Sequence, residues 1–252
     1  GVPAEDFSQF VQWSDDMGGI LEARDDGSAE GRDLIARGKK ATTEINEYLG
    51  REVARRRRDG GADLVSKMAV SDVPMAEDEV VASNTQLVFA GNETTSKLMG
   101  YTLIALAQHP EQRAELRADR SLIPQAIEEV HRWTSVLVYN LRFVRQAGTE
   151  VAGVPLPEGA VVMALQAAAN RDPERWSDPQ HFDIHRPQLA HLGFGAGLHS
   201  CLGLNLARLE TEILVNRLLD EIPDWDVRDV VWGSNPMVRG ASVIPMTMEN
   251  GQ

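Results

Sequence analysis

Apolar positions along this chain keep a helical spacing for its first half and change character near residue 150. Phe7, Phe10, Val11 and Ser14 fall on one helical face, and Ile45, Leu49 and Val53 repeat the interval. The pattern predicts helices over residues 4–58, broken at Gly27-Ser28, with Gly38 as a second candidate break. Gly60-Gly61 and a turn at Val73-Pro74 punctuate the next stretch. Ala76-Glu77-Asp78-Glu79 then gathers acids at a helix start, where the backbone dipole favours negative charge. From about Glu77 to Gln108 the chain is apolar almost all round and stops before Pro110. That run is far longer than the usual helix of about 11 or 12 residues, and its all-round apolarity suits the centre of a large domain. Pro110 opens another helix, and Leu122 to Trp133 reads as a third.

After residue 150 the period shortens. Val151 to Gly159 followed by Ala160-Val161-Val162-Met163 reads as strand, turn, strand. An irregular stretch from Asn170 to Pro187 carries Pro173, Pro179 and Pro187, and a loop of that length inside a domain is usually functional. A glycine-rich loop leads into a last long helix, Leu202 to Glu221, with short strands near Val230 and Val243. No internal repeat or low-complexity segment interrupts the order. The class is mainly α with a minor β part.

Composition narrows the function classes. Lys and Arg total 25 against 38 Asp and Glu, a net charge of −13, which argues against nucleic-acid binding. The basic run Arg55 to Arg58 sits beside Asp59 and two glycines and reads as a solvated helix end. The Val80–Ala107 stretch is long enough to span a bilayer, but Asn84, Gln86, Asn92, Glu93 and Lys97 interrupt it. The chain opens at Gly1-Val2-Pro3, straight into a helical pattern, which suggests a cut through a larger domain. A single cysteine excludes an intrachain disulfide, fits a reducing compartment, and leaves one thiol to explain.

That thiol lies in Gly193-Phe194-Gly195-Ala196-Gly197-Leu198-His199-Ser200-Cys201-Leu202-Gly203. Glycines at alternate positions allow backbone shapes closed to other residues and let the chain approach a flat ligand. Cys201 stands where loop becomes helix, and the free N–H groups of a helix start favour thiolate over thiol. A thiolate so placed suits an axial iron ligand. Other readings stand beside it. A lone cysteine is most often a small buried hydrophobe. A phosphate loop would need a spacing absent here. His199 as base to a nucleophilic Cys201 is not assured of reach, and His181, His185 and His191 match no common zinc spacing.

Two further groupings carry chemistry. Ala90-Gly91-Asn92-Glu93-Thr94-Thr95 sits in the middle of the long helix. Glycine there costs about 1 kcal/mol relative to alanine, which a helix leaving room for a ligand would offset. Glu93 and Thr94 would set a carboxyl and a hydroxyl beside that space, suited to moving protons. The plain alternative is a packing glycine and a threonine bonded to the preceding turn. Glu129 and Arg132 lie three apart on one helical face, alone a commonplace pair.

The cysteine run resembles the haem-binding signature of the cytochromes P-450, with Phe194, Gly195, Gly197, His199, Cys201 and Gly203 in register. The continuation Leu206-Ala207-Arg208-Leu209-Glu210 resembles the soluble bacterial branch. In order along the chain, the hexad resembles the family's oxygen-activating motif, and Glu129-x-x-Arg132 its Glu-x-x-Arg pair, with Arg186 as third member. The resemblance implies the cytochrome P-450 fold, with residues 1–252 as the C-terminal, haem-binding part of a single domain and the N-terminal part outside it. The family's early helices, N-terminal strands and pocket-closing loop are then also missing.

It implies haem b (iron protoporphyrin IX) bound through Cys201, with Phe194, Gly195, His199 and Gly203 around it. Arg142 would hold a haem propionate, with Arg145 a competitor; Glu93 and Thr94 would deliver protons to bound dioxygen; Glu129, Arg132 and Arg186 would be structural. Substrate contacts are expected at Leu87, Ala90, Gly91, Val136, Leu137, Val138, Tyr139, Met237 and Val238, all but the last segment on or near the motifs above, and they suit a hydrophobic small molecule. The implied activity is monooxygenation, with a ferredoxin or flavoprotein as electron donor, in the bacterial cytoplasm. A degenerate haem-binding remnant is the alternative.

Overall fold

In a computed structural model, residues 2–23, 26–73, 75–187 and 189–249 are described; Pro74, half of the expected turn, lies outside them, as does Gly1. The chain divides into two units, residues 1–94 and 95–252, each with its own core.

In the first unit, α1 spans Phe7–Glu22 and α2 spans Ala29–Asp59. The expected break between them at Gly27-Ser28 is present, and the Ser28 side chain caps α2 by accepting the Gly31 N–H at 3.0 Å. The second candidate break, Gly38, is instead buried inside an unbroken α2. A Cβ there would overlap the Ile20 side chain and lie 2.8 Å from the Asp16 carbonyl, so the glycine lets the two helices cross closely. Phe10, Trp13, Ala41, Ile45 and Leu49 form the core between them. Trp13 Nε1 also donates to Glu44 at 3.0 Å.

The basic run needs a correction. Arg56 is buried at 3% exposure, bonded to Asp63 at 3.0 Å and to Glu52, so it anchors the end of α2 to the short helix α3, Leu64–Ala69. Charge counting could not see this, because both partner carboxylates meet it only after the chain folds.

The long helix α4, Glu77–Gln108, has the bounds its apolar run predicts. The unit boundary falls inside it, between Thr94 and Thr95. No helix among the described residues is long and apolar enough to cross a membrane.

In the second unit, α5 (Pro110–Ala118) and α6 (Ile123–Thr134) each carry a proline in the first turn, where its missing N–H costs nothing. Two antiparallel pairs follow: β1 (Asn140–Phe143) with β4 (Val161–Ala164), enclosing the hairpin of β2 (Thr149–Val151) and β3 (Val154–Leu156). This corrects the expected strand–turn–strand, because the strand at Val161 pairs back past the hairpin to β1, Val161 opposite Phe143, not to its neighbour. Then come α7 (Gln166–Ala169), α8 (Leu204–Glu221) and the pairs β5–β8 and β6–β7, spanning Asp224–Val227 with Met246–Glu249 and Val231–Trp232 with Ala241–Val243. Leu98, Leu106, Leu116, Ile123, Ile127, Phe182, Ile184 and Leu219 pack as this unit's core.

Candidate functional site

The most buried charges of the second unit lie on α6. Arg132, 1% exposed, donates through Nε and Nη2 to the Glu129 carboxylate at 2.7 and 2.8 Å. Arg186 Nε donates to the same carboxylate at 3.0 Å, as does the Asp183 N–H at 3.1 Å. The remaining guanidinium hydrogens go to backbone carbonyls: Arg132 Nη1 to Asn170 and Pro179, Arg186 Nη2 to Asp178 and His181, and Arg186 Nη1 to Ser177. Asn170 is itself buried and ties the irregular 170–187 stretch to Ser135 and to the Leu192 N–H. Burying three charges is tolerable only when each is paired and hydrogen-bonded. Here they are, so Glu129, Arg132 and Arg186 clamp helix to loop.

The glycine-rich loop runs outward from that clamp. Gly195 and Gly197 take φ of +71° and +70°, which side chains disfavour, and the segment Gly197–His199 makes one 3-10 turn. The loop folds back so that the Cys201 N–H donates to the Phe194 carbonyl at 2.8 Å. Cys201 lies just ahead of α8, whose capping residue is Gly203; a Cβ on Gly203 would stand 4.0 Å from Sγ. The thiol is exposed. On either side of it Leu198 is fully exposed and Leu202 is 85% exposed, unusual for leucine in a loop pinned at its base. His199 is exposed as well.

Beneath the loop lies a layer that sequence reasoning missed. The Phe194 ring stacks on His131, centroids 4.3 Å apart and planes 10° from parallel. Arg208 places its guanidinium carbon 5.0 Å from the Phe194 centroid and grips Glu128 through two bonds of 2.7 and 2.8 Å. His191 Nε2 meets the same carboxylate at 3.1 Å. Burial opposes ionisation of Glu128, but its bonds to His191 and Arg208 outweigh that and hold its carboxyl down to about 2. Burial pushes His131 down to about 4, so its ring is neutral at ordinary pH. The only sequence signal was Glu128 beside the Glu-x-x-Arg pair, and nothing in the spacing showed that His131 and Phe194 would meet.

The two expected substrate segments of this unit come together. Val138 N–H donates to Met237 O at 2.9 Å, Arg239 N–H to Val136 O at 2.8 Å, and Leu137 bridges Val238. Val136 and Val238, at 2% and 7% exposure, belong to this unit's core. Leu137, Val138, Tyr139 and Met237 are half-buried. Arg142 is exposed on β1, opposite Val162, and donates to its neighbour Leu141 O at 2.8 Å; Arg145 is exposed too.

In the first unit, Glu93 and Thr94 lie on one turn of α4, half-buried. Thr94 Oγ1 donates to Ala90 O at 2.8 Å, the back-bond of the plain alternative. That bond uses the hydroxyl hydrogen and leaves the oxygen lone pairs. Gly91 nevertheless faces open space, with nothing within 4 Å of an added Cβ, so close helix packing does not explain it. Ala90 is exposed and Leu87 half-buried. A hollow of about 320 Å³ lies along the same unit, lined by Met17, Thr42, Asn46, Thr85, Gln86 and Phe89, none of which stood out in the sequence.

The cytochrome P450 family model matches residues 32–222, from α2 to the end of α8, which takes in the hexad, the clamp and the cysteine loop. The chain belongs to the cytochrome P450 family. It is 36% identical over its whole length to the cytochrome P450 monooxygenase PikC of Streptomyces venezuelae and covers 60% of that protein. It is 40% identical, over 79% of its length, to the cyclomarin C epoxidase CymV of Salinispora arenicola and covers 51% of it. Among solved structures, P450BioI in complex with a hexadec-9Z-enoic acid-ligated acyl carrier protein superposes with a TM-score of 0.90 at 32% identity, covering 99% of this chain and 63% of that one. The P450 chain thus spans between 51% and 63% of the length of these relatives.

The cysteine loop of this P450 chain fits the family's haem. It offers one soft sulfur donor with its side open, apolar leucines on both sides, and glycines that keep the backbone low. His199 and Arg142 are exposed hydrogen-bond donors suited to carboxylates.

Proposed function

We propose that this P450 is a haem-thiolate monooxygenase that hydroxylates or epoxidises a hydrophobic small molecule. In this reading Cys201 holds haem b, and a separate ferredoxin or flavoprotein supplies electrons. Residues 1–252 form the C-terminal part of one domain in the bacterial cytoplasm. The observation that carries the reading is the cysteine loop: the chain's single thiol stands exposed between two exposed leucines, on a backbone fixed by the Phe194 carbonyl. The names of the relatives, a monooxygenase and an epoxidase, support oxygen insertion, and the fatty-acyl partner in the BioI structure supports an apolar substrate.

When bound, the haem supplies dioxygen activation at its iron. Cys201 would hold that iron through its sulfur and supply it with electron density, and backbone N–H groups beyond it would temper the charge on the thiolate. Leu198 and Leu202 cover apolar surface and exclude water from the thiolate side. His199 and Arg142 hold propionates. Glu93 holds a proton and Thr94 relays it: the Thr94 hydroxyl hydrogen leaves Ala90 O and is handed on as the oxygen takes up the proton from the Glu93 side. Leu87, Ala90, Gly91, Leu137, Val138, Tyr139 and Met237 contact the substrate.

Thr94→Ala tests the relay. Peroxide released per electron consumed should rise several-fold while substrate binding is kept; unchanged coupling of electrons to product would contradict the assignment. An intact protein that takes up haem but shows no thiolate-type band would favour the degenerate haem-binding remnant instead.

A further inference from the structure

His131 is a poor choice for its surroundings by ordinary packing rules. It is 5% exposed, and its two ring nitrogens are buried with no well-formed hydrogen bond beyond the backbone of the adjoining Gly193. The adjoining Gly193 N–H donates instead to His191 Nδ1 at 3.0 Å. An apolar side chain of similar size would avoid the cost of burying two poorly satisfied nitrogens. The ring's compensating contact is the near-parallel stack on Phe194. Gly193 is shaped to that ring. A Cβ on Gly193 would overlap His131 at Cδ2 and Nε2 and come within 2.9 Å of His191 Cε1. Phe194 follows Gly193 directly, and its carbonyl takes the Cys201 N–H. Ring, glycine, phenylalanine and cysteine therefore form one continuous line of contacts.

We propose that His131, admitted by Gly193, is a positioning residue: its stack fixes the Phe194 plane, and the Phe194 carbonyl fixes the backbone that presents the Cys201 thiolate. The inference rests on the haem-thiolate reading for its consequence at iron, while its geometry stands without it. Arg208 and His191, both held by Glu128, brace the same ring from within the layer.

The test uses the intact protein in six forms: parent, Gly193→Ala, His131→Ala, the double variant, His131→Leu and His131→Phe. Gly193→Ala should lower Tm by about 5 °C, and adding it to His131→Ala should cost much less, because the worst overlap is gone and only the 2.9 Å approach to His191 Cε1 remains. In haem-free protein, maleimide labelling of Cys201, the single cysteine, should change several-fold in His131→Leu and return toward the parent rate in His131→Phe, which keeps a stacking ring. In the reduced, carbon-monoxide-bound holoprotein the same pair should lose and regain the thiolate-type Soret band. Additive Tm losses would overturn the Gly193 fit. Parent-like labelling in His131→Leu would overturn the positioning role. A parent without a thiolate band would sink the haem-thiolate reading instead, and the Tm cycle and labelling rates would still decide this one.

Discussion

The Glu129 clamp and the Cys201 loop sit in the same unit, joined through Leu192 and Asn170, yet they are built on opposite terms. In the clamp every guanidinium nitrogen and both carboxylate oxygens have a partner inside the protein, and the side chains are nearly sealed. In the loop the backbone is fixed but the side chains with chemistry, Cys201, His199, Leu198 and Leu202, all face outward. A network satisfied within itself is a folding device. A rigid backbone presenting exposed sulfur and leucine is a surface made for a ligand. The two resemble each other only as sequence motifs of the same family.

Breaking the clamp should therefore cost stability, and the largest effect expected is there. Glu129→Gln leaves Arg132 and Arg186 buried with no counter-charge and should destabilise the protein by about 3–5 kcal/mol in denaturant unfolding. A loss below about 1 kcal/mol would mean the carboxylate is solvated in solution. The layer between the two regions gives the next effect, read by pH. The folded-state value of His131 is about 4, below its ordinary 6.5, so on acidification the unfolded chain takes up the proton first. The stability attached to the neutral ring is full above 6.5 and is lost as pH falls toward about 4, a change of a few kcal/mol in order of magnitude. Glu128, held down to about 2, extends the loss below 4.5. His131→Leu should flatten the Tm profile between 6.5 and 4; an identical slope in that variant would assign the transition elsewhere. The smallest effect on folding belongs to the loop. Leu198→Asp alters a fully exposed side chain and should leave stability within about 0.5 kcal/mol, yet weaken haem retention in an apomyoglobin transfer assay. Equal haem retention would remove Leu198 from the cofactor surface.

Legibility followed the same division. The α4 bounds came from an uninterrupted apolar run ended by Pro110, and α5 and α6 from prolines at their starts, all local signals. The Glu129–Arg132–Arg186 clamp was named because the family resemblance joined a local pair to a distant arginine. What escaped is tertiary. β1 was invisible because its partner is β4, beyond an intervening hairpin. Gly38 looked like a helix break because its reason is the Ile20 side chain of another helix. Arg56 read as solvated because Asp63 and Glu52 reach it only in the fold. That Val136 and Val238 join the core was not legible either, since apolarity alone does not tell a lined cavity from a packed core. His131 carried no periodic or motif signal, and its stack on Phe194 and fit against Gly193 form only in the fold.

The central claim is that Cys201 ligates haem iron as a thiolate, and the reduced, carbon-monoxide-bound absorption spectrum tests it most directly. The account predicts a thiolate-type Soret band in the intact protein that Cys201→Ser abolishes while leaving Tm of the haem-free protein unchanged, as suits an exposed side chain. Haem uptake with no thiolate band, or a band that survives Cys201→Ser, would contradict it.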